Sequence, residues 1–207
     1  IFTMSRNLEL RIEALKEPVF KQRHRVHPHS TIINQSIRSS INAEYFHKKP
    51  RGKSCPCDSI FKDFLWRDLE DIEPSKLPRK PGVYVIRVMK KGMDLDKICS
   101  DFLNIFSGVK WGVFKEYLVS RLQRLRRVSE CPVIYVGSTS NIRSRYIDLA
   151  GIRHTVFFPV LALLLGGWKL EYGFTTVNTE EESGKLEEEL KRKYRKIHDK
   201  LPCLVEK

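Results

Sequence analysis

The sequence predicts a mixed α/β fold of the α+β kind: a small three-stranded antiparallel sheet flanked by helices, with a basic arm before it and a helical insertion within it. Three observations predict this. Two short β-branched runs, "PGVYVIRVMK" from Pro81 and "CPVIYVG" from Cys131, follow turn residues and read as strands, and "WKLEYGFTTV" from Trp168 alternates apolar and polar as a half-buried third strand does. Segments with apolar recurrence at three and four residues separate and follow them, which marks amphipathic helices. At 207 residues the chain suits one core of ordinary size with an appendage.

From about Ser5 to Pro81 apolar residues are sparse, basic groups are many, and "KKPRGK" and "KLPRKPG" interrupt the pattern. Residues 1–80 therefore read as an arm and 81–207 as the folded domain. Two stretches of the arm have helical spacing, "NLELRIEALKE" and "DSIFKDFLWRDLEDI", the second laying Ile60, Phe61, Phe64, Leu65 and Leu69 along one stripe. The segment between them has no periodicity and is expected to be a loop.

Beyond the Tyr84 strand, the insertion of about 90–130 predicts helices over 94–107 and 113–128, split by "GVKWG". Phe114, Leu118, Leu122 and Leu125 form the apolar stripe of the second. Lys115, Arg124, Arg126 and Arg127 project elsewhere, either as a phosphate-contacting surface or as a solvated face. After the second strand, "STSN" is a turn ending in an Asn141 cap for a helix over 142–149. An apolar helix begun at Pro159 stops at Gly166 and Gly167. The last helix, "NTEEESGKLEEELKRKYRKIHDK", has acids at its start, bases at its end, and Leu186, Leu190, Tyr194 and Ile197 along one side.

Lys and Arg number 38 against 25 Asp and Glu, a net charge of +13. Such an excess points to a polyanionic partner, nucleic acid ahead of an anionic membrane surface. The longest clean apolar run, Val156 to Leu165, is about half of a bilayer span and contains Pro159, so no membrane helix is expected. "IFTMSRNLEL" lacks the order of a secretory signal, Met4 reads as a start, and an intracellular setting is expected. Five widely spaced cysteines form no disulfide framework. Cys55 and Cys57, with His24, His27, His29 and His47, offer zinc ligands on paper, but their spacing matches no finger.

Taken in order, "GVY" at Gly82–Tyr84, "YVG" at Tyr135–Gly137, "NIRSR" at Asn141–Arg145 and "KLEEELKRKY" at Lys185–Tyr194 resemble the GIY-YIG endonuclease family over roughly Pro81 to the end. The resemblance implies metal-dependent hydrolysis of DNA phosphodiesters, of restriction or mobile-element type, with one Mg2+ or Mn2+ per active site. It implies that Tyr84 acts as base or orients the attacking water, Tyr135 binds the phosphate region, Arg145 neutralises developing charge and Glu187 holds the metal. His154, at a longer offset than usual, is the candidate proton carrier. These residue types suit the chemistry: arginine matches phosphate oxygens with a permanent charge, and a carboxylate supplies the hard ligand magnesium takes.

Double-stranded DNA is the expected partner, with Arg143 and Arg153 joining Lys115, Arg124, Arg126 and Arg127 as contacts, and a symmetric target is compatible with a homodimer. Ser138 stands where repair-type members carry lysine, and "LPCLVEK" lacks a closing asparagine. A non-catalytic nucleic-acid-binding module on the same scaffold and a structure-specific nuclease are the alternatives.

Overall fold

The computed structural model describes residues 55–205 apart from Phe106, Val109, Trp111 and Glu130. The expected helix "NLELRIEALKE", the four early histidines and the Phe114 side chain lie outside the described residues. What is described belongs to a unit beginning at Arg51.

Its centre is an open, four-stranded antiparallel sheet in the order β1 (Leu65–Asp68), β4 (Lys169–Thr176), β2 (Gly82–Lys90) and β3 (Val133–Thr139). The expected three strands are present and a fourth is added. β1 falls inside "DSIFKDFLWRDLEDI", read from its periodicity as helix; the structure corrects this to a 3-10 turn over Pro56–Phe61 followed by the strand. Pairing decides the outcome, because Leu65 to Asp68 run against Phe174 to Glu171 and satisfy an edge that β4 would otherwise expose. Phe61, Phe64 and Leu69 are buried as the stripe predicted, but Leu65 is 42% exposed, since a strand sends successive side chains to opposite faces. Residues 55–80, read as arm, thus include a strand of the sheet.

β2 is buried on both faces, which its continuous apolar run foreshadows. Val83 and Val85 face one core with Val136, Leu190 and Tyr194; Tyr84 and Ile86 face the other with Tyr172, Ile142 and Val160. The larger core lies under α1 (Leu95–Ile105), α2 (Gly112–Gln123), α3 (Ile142–Ala150) and α4 (Phe157–Leu165), and the smaller one under α5 (Glu180–His198). α2 ends earlier than expected, and Arg124–Ser129 form a 3-10 turn. Asn141 caps α3, accepting from the Ser144 N–H at 3.0 Å, and Thr179 with Glu182 forms a capping box on α5. Among the described residues no helix is long and apolar enough to cross a membrane.

Candidate active site

The centre of the site is a point on the β2–β3 ladder where Tyr84 pairs with Gly137. A Cβ on Gly137 would stand 2.9 Å from the Tyr84 hydroxyl and 3.0 Å from that of Tyr135, so only glycine lets the two phenols meet there. The tyrosine rings lie tilted, 5.6 Å between centroids. Tyr84 is 1% exposed and stacks on Tyr172 on its other flank, whereas Tyr135 is half-buried and the more accessible of the pair.

His154 comes from the loop after α3, where Ile152 takes the left-handed conformation with φ of 72° and turns the chain back. Its Nε2 is 2.5 Å from the Tyr84 hydroxyl, and its Nδ1 accepts from the Val156 N–H at 3.1 Å. These two bonds assign the tautomer: an Nδ1 that accepts carries no proton, so in the neutral ring Nε2–H donates to the Tyr84 oxygen. Burial, aided by the charge of Arg145, lowers the His154 pKa to about 4, which keeps the ring neutral. Burial likewise raises the Tyr84 pKa well above that of a free phenol, against the opposing pull of Arg145. In this arrangement His154 holds Tyr84 rather than meeting a substrate.

Arg145, on α3, completes the group. It is half-buried, its Nε is fully enclosed without a hydrogen-bond partner, and among the described residues no acid pairs with it. Its charge acts on Tyr84, Tyr172 and His154 at once. A guanidinium set among phenols and a neutral imidazole, with nothing negative to meet it, is an arrangement suited to an anion.

Glu187 reaches the same strand by another route. α5 packs on the face opposite the tyrosines, and the Glu187 carboxylate accepts from the Ser138 N–H at 2.8 Å and from the Ser138 hydroxyl. β3 is an edge strand, so an N–H bonded to Glu187 points off the open side of the sheet. The carboxylate therefore sits at the rim, one residue past Gly137. Its other oxygen pairs with Lys191.

The predicted nucleic-acid contacts divide. Arg143 donates to the carbonyls of Leu77 and Ser75 at 2.8 and 2.5 Å and braces the turn before β2. Arg126 pairs with Asp96 at 2.9 Å, and Arg127 donates to the Leu201 carbonyl at 3.0 Å. Arg124 is half-buried, Lys115 is exposed, and Arg153 is exposed with Asp148 loosely placed at 3.9 Å. α2 borders the site, because the Tyr117 hydroxyl donates to the Thr155 carbonyl at 3.2 Å. It also brings Arg121, buried under the Tyr117 ring, close enough to act on His154. Arg121 and Lys191 were missed by sequence reasoning, and Ser138 was noted only as a departure from the resemblance; the i to i+4 spacing of Glu187 and Lys191 offered a signal for Lys191.

A second group lies on the α5 side. Cys55, Cys57, Cys131 and His198 place one ligand atom each within 4.8 Å of the others and can hold a metal ion. On paper the sequence paired Cys55 and Cys57 with the early histidines, which lie outside the described residues; among the described residues Cys131 and His198 stand beside them. Thiols and imidazole are soft ligands and do not form a magnesium set. No family model, curated protein or solved structure matches the chain.

Proposed function

We propose that the chain is a metal-dependent endonuclease that hydrolyses DNA phosphodiesters at the Tyr84, Tyr135 and Arg145 cluster. The observation that carries this reading is the enclosed, unpartnered Nε of Arg145 beside two converging phenols. A phosphate oxygen would meet the Arg145 fork, and the Tyr135 hydroxyl would orient it. Tyr84 lies behind Tyr135 and accepts from His154, so its own proton is directed away from the imidazole, toward Tyr135 or an entering water. Held in place by His154, Tyr84 would orient the Tyr135 hydroxyl or the entering water with its own O–H, and no proton passes inward, because the imidazole already carries its Nε2 proton and its Nδ1 is engaged by the Val156 N–H. Lys115 and Arg153 would contact flanking phosphates, supplying affinity without sequence choice.

Glu187 is the residue that would hold Mg2+ or Mn2+. Its carboxylate is a hard ligand at the rim, and magnesium is commonly bound by one or two carboxylates with retained waters and substrate phosphate. Bound there, such a cation acidifies water and neutralises charge on the phosphoryl oxygens. Lys191 must first give up its pairing with the carboxylate, and Ser138 keeps the carboxylate aimed while it does so.

The test is nicking of supercoiled plasmid and of branched DNA with magnesium, comparing wild type with Arg145→Ala and Glu187→Gln. Both variants are expected to lose at least about 100-fold in rate, the scale of removing one transition-state contact, while retaining DNA binding. The Lys191 ion pair and the burial of Tyr84 favour one other reading, a nucleic-acid-binding module without catalysis. Wild-type protein that binds DNA yet cuts neither DNA nor RNA establishes that reading.

A further inference from the structure

The Cys55, Cys57, Cys131 and His198 group joins three distant parts of the chain. Cys55 and Cys57 flank Pro56 at the start of the first 3-10 turn, Cys131 leads into β3, and His198 is the last residue of α5. The sulfur separations are 3.3 Å for Cys55 and Cys57, 3.6 Å for Cys55 and Cys131, and 3.5 Å for Cys57 and Cys131; Nε2 of His198 is 3.5 Å from the Cys55 sulfur. Disulfide sulfurs stand about 2.05 Å apart, so none of these pairs is a disulfide. Ligands about 2.3 Å from a tetrahedral zinc stand about 3.8 Å from one another, slightly less where one is nitrogen; these four separations fall slightly below that, and all the ligand atoms lie within 4.8 Å of one another.

We propose that these four residues bind one structural zinc ion. Buried free cysteines often serve as small apolar side chains, but that role does not gather three sulfurs and an imidazole around one point. The surroundings also suit thiolates. The Cys57 backbone lies close enough to act on the Cys55 sulfur, and the Val133 backbone and the Tyr194 hydroxyl close enough to act on that of Cys131. Donors of this kind orient and stabilise metal-bound sulfur. The Tyr194 ring packs on that of His198 at 4.4 Å between centroids and holds the imidazole in place.

All four positions of the tetrahedron come from protein, with no vertex left for water or substrate, which is the pattern of a structural rather than a catalytic zinc. The ion would tie the segment before β1 and the lead into β3 to the end of α5. A cavity of about 10 Å³, lined by Cys131, Tyr194, His198 and Arg127 among others, adjoins the cluster and offers an approach. The inference is independent of the nuclease reading, and its test reads metal content and stability rather than cleavage.

The full chain, produced with zinc in the medium, is measured by native and elemental mass spectrometry. One zinc per chain is expected, and Cys131→Ser and His198→Gln should each lose most of it while Cys99→Ser keeps it. Exchange into Co2+ should give the intense visible bands of a tetrahedral thiolate site, and chelation should lower the melting temperature of wild type but not of Cys131→Ser. Because Cys131→Ser can unfold, the cobalt spectrum of wild type stands as a separate criterion. Metal-free wild type that also shows no cobalt bands overturns the proposal, as does zinc retained when Cys55 and Cys57 are both replaced by serine. Iron or copper in place of zinc overturns the assignment of the ion.

Discussion

His154 sets the pH response of the site through one proton. Its folded pKa of about 4 lies below the ordinary 6.5, so on acidification the unfolded chain takes up the proton first. The associated stability is present above 6.5 and is lost as pH falls toward 4, on the order of 3 kcal/mol in all. Urea unfolding of wild type and His154→Gln across this range should show a steeper decline in the wild type; parallel curves would refute the assignment. Its neighbour Ile152 supplies a second prediction. A β-branched residue at φ of 72° bears a backbone cost of about 1 to 2 kcal/mol that glycine does not, and this side chain is 63% exposed, so little packing is lost with it. Ile152→Gly is expected to raise stability by up to about 1 kcal/mol, less than the full relief because glycine also frees the unfolded chain.

At the scale of elements, the join between β1 and β4 rests on a close approach. Gly173 lies opposite Trp66, and a Cβ on it would come within 2.6 Å of the indole ring. Arg87 covers that ring at 3.6 Å and pairs with Glu171 at 2.7 Å, so the indole has little room to retreat. Gly173→Ala should therefore cost about 1 to 3 kcal/mol, measured as a lower urea midpoint. A midpoint equal to that of wild type would show that the strand can shift. β1 is also where sequence periodicity misled. Phe61, Phe64 and Leu69 are spaced as one helical stripe is, but the spacing cannot report that β4 lies unpaired nearby. By contrast β2, β3, α3 and α5 were legible because each carries its own punctuation: turn residues before the strands, Asn141 before α3, and acids at the start and bases at the end of α5.

Across the whole molecule, sequence order found the tyrosines, Arg145 and His154, which the fold brings to one side of the sheet. What it could not show was depth: nothing in "GVY" tells that Tyr84 lies behind Tyr135, or that Nε2 of His154 faces its hydroxyl. Nor could spacing join Cys57 to Cys131, because their meeting depends on how the sheet places residues 74 positions apart. Arg143 shows the opposite failure, a basic residue on a helix start whose donors are committed to backbone carbonyls of the same fold.

The outer margin of β3 is closed at two places, by the Leu204 N–H on the Ile134 carbonyl and by Glu187 on the Ser138 N–H. An uncovered strand margin invites another copy to extend the sheet, so these contacts also guard against self-association. Glu187→Ala would free the Ser138 N–H, and its light scattering at high concentration should exceed that of Glu187→Gln, which keeps an oxygen to accept the bond. Equal scattering would mean the tail at Leu204 is guard enough.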